Sequence, residues 1–151
     1  MIKNIIFDMG QVLIKFDPDY FINRVGLKDP EDILLIKRKV YQSLEWARMD
    51  RGSLDEEAAC RLMCKSLPAR LHQYVRELTI DWCRPIVPIS GIEEIVRDLK
   101  QNGYKIYLLS NASLGQKKYW NDIPCSKYFD GKLVSAEEGF VKPQPEIYRL
   151  L

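Results

Sequence analysis

Three short apolar runs, separated by long helical patterns, dictate what this chain of 151 residues can fold into. Ile2-Lys3-Asn4-Ile5-Ile6-Phe7 is β-branched and aromatic and stops at Asp8-Met9-Gly10. Tyr104-Lys105-Ile106-Tyr107-Leu108-Leu109 stops at Ser110-Asn111, and Gly131-Lys132-Leu133-Val134-Ser135 precedes Lys142-Pro143. Each run has the length and bounding residues of a buried strand. Strands joined through helices pair in parallel, because each crossover returns over a face of the sheet. The spacing predicts an α/β fold: a Rossmann-like parallel sheet with crossover helices.

The first two runs are separated by an unusually long helical insert, from Asp17-Pro18 to about Arg84. Within it Asp29-Pro30-Glu31 opens a segment with Ile33, Ile36, Val40, Leu44 and Ala47 at helical spacing, which Arg51-Gly52 stops. Ser53 and Glu56 have the spacing of a capping box, ahead of a helix that ends at Leu67-Pro68. A third helix is expected from Ala69 to about Cys83. After the connector Pro85 to Pro88, Ser90 with Glu93 reads as another capping box, and Asn102-Gly103 ends the helix that follows. One more helix is expected around residues 114 to 121.

Composition removes several classes of function. The chain is 46% apolar and 29% charged, which is ordinary for a globular protein, and its net charge of +2 offers no electrostatic footprint for nucleic acid or an anionic membrane. No apolar run approaches the ~20 residues of a membrane span. The start leads straight into a strand rather than a signal-peptide core, so the expected location is the cytoplasm. His72 is the single histidine, which excludes His-rich zinc sites. Cys60, Cys64, Cys83 and Cys125 form no CxxC pair and read as buried core thiols.

In open α/β sheets, ligands bind outside the carboxyl ends of the strands. There the sequence puts Asp8, then Ser110-Asn111, then Lys142. A carboxylate nucleophile, neutral hydrogen-bond donors and a fixed cation suit attack on an electrophile that carries negative charge, above all a phosphoryl group. None of these residues is informative alone; their succession at strand ends is.

At these residues the chain resembles the haloacid dehalogenase-like (HAD) superfamily of hydrolases. Phe7-Asp8-Met9-Gly10-Gln11-Val12-Leu13 looks like its first motif, Leu108-Leu109-Ser110-Asn111 its second, and Gly139 through Tyr148, with Lys142-Pro143, its third. The Asp-x-Gly start resembles a branch of phosphatases that act on sugar phosphates. The resemblance implies a core of residues 1–16 and 85–151 and an inserted α-helical cap of residues 17–84. It further implies an aspartyl-phosphate on Asp8, magnesium held by the Asp8 carboxylate and the Gly10 carbonyl, and phosphoryl contacts from Ser110 and Asn111. Lys142 would neutralise the charge that builds on Asp8 and the phosphoryl oxygens. The expected partner is a small phosphomonoester, with neither nucleic acid nor membrane, and the oligomeric state stays open.

Two departures from the family pattern matter. Most phosphatases of the superfamily carry a second Asp two residues after the nucleophile, where this chain has Gly10; Gln11 and Asp17 are candidates for orienting water instead. A fourth motif, an acidic cluster after a fourth strand, has no counterpart before Leu151, and Asp130, Glu137 and Glu138 do not match it. The core is therefore expected to be incomplete at its C-terminus, with the outer edge of the first strand exposed. A metal-independent dehalogenase using Asp8 on carbon, and an inactive fragment or phosphate-binding module, stand as alternatives. Tyr20, Tyr41, Trp46 and Trp82 are candidates for the inner face of the cap.

Overall fold

A computed structural model describes residues 2–151. Strands β1 (Asn4–Phe7), β2 (Lys105–Ser110) and β3 (Gly131–Val134) form one parallel sheet in the order β1-β2-β3. Phe7 lies opposite Leu108, and Ser110 opposite Val134, so all three strands end on the same side. β2 is central and accordingly the most buried, with Ile106 and Leu108 fully enclosed. β1 is an edge among the described residues, and Ile6 on it is 48% exposed.

Eight α-helices are described: α1 (Pro18–Arg24), α2 (Pro30–Ile36), α3 (Leu44–Asp50), α4 (Glu56–Lys65), α5 (His72–Thr79), α6 (Ile92–Gln101), α7 (Ser135–Glu138) and α8 (Pro145–Arg149). The segment expected to run unbroken from Asp29 to Arg51 is in fact interrupted. After α2 the chain widens into a π-turn over Lys37–Tyr41, where the Gln42 amide donates to the Lys37 carbonyl, five residues back. Ser43 then starts α3 afresh: its hydroxyl donates to the Val40 carbonyl and accepts from the Trp46 amide. A local side-chain bond thus competes with helix continuation.

Both expected capping boxes are absent. Asp55, not Ser53, caps α4, its carboxylate accepting from the Ala58 amide at 2.7 Å, and the Glu56 carboxylate bonds instead to Ser113 and the Gly115 amide. Gly91 occupies the cap of α6 at φ 78°, which only glycine adopts freely, and Glu93 pairs with Lys127. The third helix is shorter than expected, a tight turn at Ala69–Leu71 followed by α5. Residues 114 to 121 form no α-helix; tight turns at Leu114–Lys118, Trp120–Asp122 and Pro124–Tyr128 stand there.

Two apolar clusters hold these elements. One, around Leu13, Ile14, Val96, Ile106, Leu108 and Val134, fills the space between the sheet and α6. The other, around Phe21, Ile36, Val40, Met63, Val75 and Leu78, lies wholly within the helical insert. Trp82 packs against both. Cys60 belongs to the second cluster and Cys83 and Cys125 to the first, and burial pushes the Cys60 and Cys83 thiols up to about 11. His72 is exposed, its Nε2 3.1 Å from the Leu67 carbonyl. No helix is long and apolar enough to cross a membrane.

Candidate active site

The parallel register brings the strand-end residues to one place. Asp8 directly follows β1, Ser110 ends β2, and Lys142 reaches in from the loop after α7. Lys142 Nζ lies 2.8 Å from Asp8 Oδ2, while Asp8 Oδ1 accepts from the Met9 amide at 2.7 Å. The ammonium also donates to the Leu109 carbonyl at 3.1 Å. Asn111 fixes the backbone that carries it: Asn111 Oδ1 accepts from the Lys142 amide at 2.7 Å, and Asn111 Nδ2 donates to the Lys142 carbonyl at 3.1 Å. The cation is therefore held by two oxygens, and its backbone by Asn111, before any ligand arrives.

These residues form one wall of a cavity of about 290 Å³. Asp8, Gly10, Ser110, Asn111 and Lys142 all line it. Gly10 also has a steric reason to be glycine, since a Cβ there would stand 3.3 Å from Phe16 Cβ. A side chain at this position would press on Phe16, which would have to give by a few tenths of an ångström. Gln11 lines the cavity with its backbone at φ 59°, an uncommon conformation for a residue with a side chain, and its Oε1 accepts from the Phe16 amide at 3.3 Å. Asp17 is elsewhere: its carboxylate caps α1, accepting from the Asp19 and Tyr20 amides.

The opposite wall comes from the helical insert and its flanks. Phe16, Trp46, Met49 and Trp82 line it, with Phe16 and Trp82 edge to face at a centroid separation of 5.1 Å. Of the four aromatic residues expected here, Trp46 and Trp82 line the cavity and Tyr20 and Tyr41 do not. Tyr41 packs behind Trp46 at 5.1 Å, and burial pushes its phenol well above the usual range. Tyr20 lies under the Lys15 ammonium.

Asp50, the last residue of α3, lines the same cavity although its sequence context did not single it out. Burial raises its carboxyl to about 7. An available signal was its position, because a carboxylate in the last turn of a helix opposes the helix dipole and needs a reason to be there. The other acids considered lie apart from the cavity. Asp130 pairs with Lys100 and Lys105, whose hydrogen bonds, Lys100 first, hold its carboxyl down at about 2. Glu137 pairs with Lys117 and Lys132.

For a metal, the strand-end wall offers oxygen only: the Asp8 carboxylate and the Gly10 carbonyl, which accepts no backbone hydrogen bond among the described residues. No cluster of three or more His, Cys, Asp or Glu side chains is present among the described residues. Two oxygen donors suit a hard cation such as magnesium, which keeps several waters and takes few protein ligands.

A carboxylate, a hydroxyl and a clamped ammonium stand at the ends of parallel strands, on a cavity that helices help to line, in a fold of the α/β class. The chain belongs to the haloacid dehalogenase-like hydrolase family, whose model matches residues 2–151. Solved structures share the fold at low identity. A HAD-family enzyme from Bacteroides thetaiotaomicron, in complex with magnesium and inorganic phosphate, is 20% identical with a TM-score of 0.67, covering 99% of this chain and 77% of that one. A HAD-like hydrolase from Porphyromonas gingivalis is also 20% identical with a TM-score of 0.67, covering 99% and 74%. The L-2-haloacid dehalogenase of Xanthobacter autotrophicus, with chloropropionic acid covalently bound, is 16% identical with a TM-score of 0.65, covering 99% and 63%. No curated protein matches the chain in sequence.

Proposed function

We propose that this chain carries the phosphoryl-transfer site of a magnesium-dependent phosphatase acting on small phosphomonoesters, with residues 17–84 as the cap over it. The observation that carries this reading is the ammonium of Lys142 held 2.8 Å from the Asp8 carboxylate at the wall of a cavity. A cation fixed beside the nucleophile stabilises charge that develops on the phosphoryl oxygens, and it costs no reorganisation when the reaction occurs.

In the first step a carboxylate oxygen of Asp8 bonds to phosphorus while the bond from phosphorus to the leaving oxygen breaks. In the second, water attacks phosphorus, the bond to Asp8 breaks, and inorganic phosphate leaves with the carboxylate restored. Ser110 donates its hydroxyl to a phosphoryl oxygen, and the Asn111 amide is placed to assist. Asn111 also positions Lys142 through its two side-chain hydrogen bonds. Asp8 and the Gly10 carbonyl would hold magnesium, which supplies charge neutralisation at the phosphoryl oxygens when bound. The magnesium and phosphate bound to the Bacteroides relative support this assignment.

A second reading has its own support. The apolar wall of Phe16, Trp46, Met49 and Trp82 suits a halogenated carbon substrate, and the Xanthobacter dehalogenase shares the fold. Metal dependence separates the two. Hydrolysis of p-nitrophenyl phosphate is expected to need added magnesium and to vanish with a chelator; hydrolysis that survives full chelation overturns the phosphatase reading. The resemblance to sugar phosphatases makes a sugar phosphate the first natural substrate class to assay.

A further inference from the structure

The phosphatase reading leaves one requirement unmet: a departing alkoxide needs a proton, and Gly10 cannot give one. We propose that Asp50, carried in from the helical insert, is the general acid and base of this site. As the bond from phosphorus to the leaving oxygen breaks, its electron pair goes to that oxygen, which takes the proton of the Asp50 carboxyl and departs as the alcohol. The Asp50 carboxylate then removes a proton from water as the water oxygen bonds to phosphorus. The electron pair of the Asp8–phosphorus bond returns to Asp8, and Asp50 is protonated again.

Several observations converge on this residue. Asp50 is the only carboxyl besides Asp8 on the cavity wall, among the described residues. No hydrogen bond or ion pair engages its side chain among the described residues, whereas Asp130 and Glu137 are tied up in ion pairs elsewhere. Its backbone is fixed by the strand-end side of the molecule. The Ser135 hydroxyl donates to the Asp50 carbonyl at 2.5 Å and accepts from the Ala112 amide at 3.0 Å. Two residues on, Gly52 sits so close to the Ala136 backbone that a Cβ would lie 2.1 Å from its carbonyl oxygen. The backbone that carries the carboxyl is thus seated against the start of α7, which directly follows β3, although the helical insert supplies the residue.

Its surroundings suit proton exchange near neutral pH. Burial and the C-terminal end of α3 both disfavour the charged form, and the carboxyl is raised to about 7. The charged and titratable groups around it are few. Asp8 and Lys142 share the cavity and are paired with each other. Burial holds the Tyr119 phenol far above neutrality, Glu56 is engaged by Ser113 and Gly115, and Arg48 and Arg51 on its own helix are exposed. A group that titrates near the working pH is the most effective acid and base, worth about 10²–10⁴ in rate.

This inference rests on the phosphatase reading, and Asp50→Asn separates the two. With an alkyl phosphate, whose alkoxide leaves poorly, kcat/KM, which reads the steps up to loss of the leaving group, should fall by about 10²–10⁴. With p-nitrophenyl phosphate, whose phenolate needs no proton, kcat/KM should fall by less than about 10-fold, and the limb of the pH–rate profile near 7 should disappear. Equal losses of kcat/KM on both substrates would make Asp50 merely structural and overturn the proposal, as would no loss on either. A second arm needs no turnover. Binding of sulfate, which does not titrate between pH 5.5 and pH 8.5, should weaken about fivefold across that range in the unaltered chain and stay level in Asp50→Asn. The same pH dependence in both overturns the role of Asp50 alone; no sulfate binding and no hydrolysis in the unaltered chain overturn the phosphatase reading, and this proposal with it.

Discussion

The strand-end wall of the cavity and its helical wall are built on opposite principles. On the first, polar groups hold one another: Lys142 is bound to Asp8 and to the Leu109 carbonyl, and Asn111 grips the backbone on both sides of it. On the second, aromatic rings packed on one another share the wall with one carboxyl that has no partner among the described residues. The strand-end wall thus sets opposite charges side by side at a fixed place, 2.8 Å apart. The helical wall instead carries one acid whose carboxyl burial raises to about 7. On the proposed reading the sheet supplies positioning and charge, and the helices handle the proton.

The comparison breaks most severely at Asp8. Asp8→Asn should reduce turnover by at least about 10³-fold, since nucleophile and partner of Lys142 are lost together, with the fold retained by circular dichroism. Residual hydrolysis near the original rate would remove the nucleophile from the strand-end wall. The next effect tests how the two walls are joined. Ser135→Ala leaves the Asp50 carbonyl and the Ala112 amide without their shared hydroxyl, and denaturant unfolding should show a loss of about 1–3 kcal/mol. An unchanged midpoint would mean that the helical wall is seated by other contacts.

The smallest effect concerns Asp50 and pH. Its folded-state value near 7 lies above the ordinary carboxyl value of about 3.9, so between them the folded chain binds more protons than the unfolded one. Stability should therefore decline as pH rises from about 4 through 7, then level off. Asp50→Asn should flatten this component and gain about 1–2 kcal/mol at pH 8, read as melting temperature against pH. A variant with the slope of the original chain would locate the titrating group elsewhere.

The two walls also differ in how far the sequence exposed them. The strand-end residues were legible because each follows a short apolar run, and a parallel register must bring such ends together. Asp8, Gly10, Ser110, Asn111 and Lys142 accordingly share one cavity. The helical wall depends on contacts between residues far apart in sequence. Glu56 looks like a capping residue because of Ser53 nearby, yet its partners are Ser113 and Gly115, which only the folded chain brings close. The apolar spacing from Ile33 to Ala47 continues smoothly through a break that one hydroxyl, that of Ser43, decides. Asp50 was hidden for a similar reason: its chemistry comes from burial among residues of other elements, and its one local clue was an acid at the wrong end of a helix.

On the proposed reading Asp8 carries the phosphoryl group between substrate and water. Its direct test is acid quenching during turnover of a phosphomonoester, followed by mass spectrometry of the peptide that contains Asp8. A phosphoryl group on that peptide, absent from Asp8→Asn, is the predicted result. Product accumulating while the Asp8 peptide stays unmodified, or carries the phosphoryl group at another residue, would contradict the account.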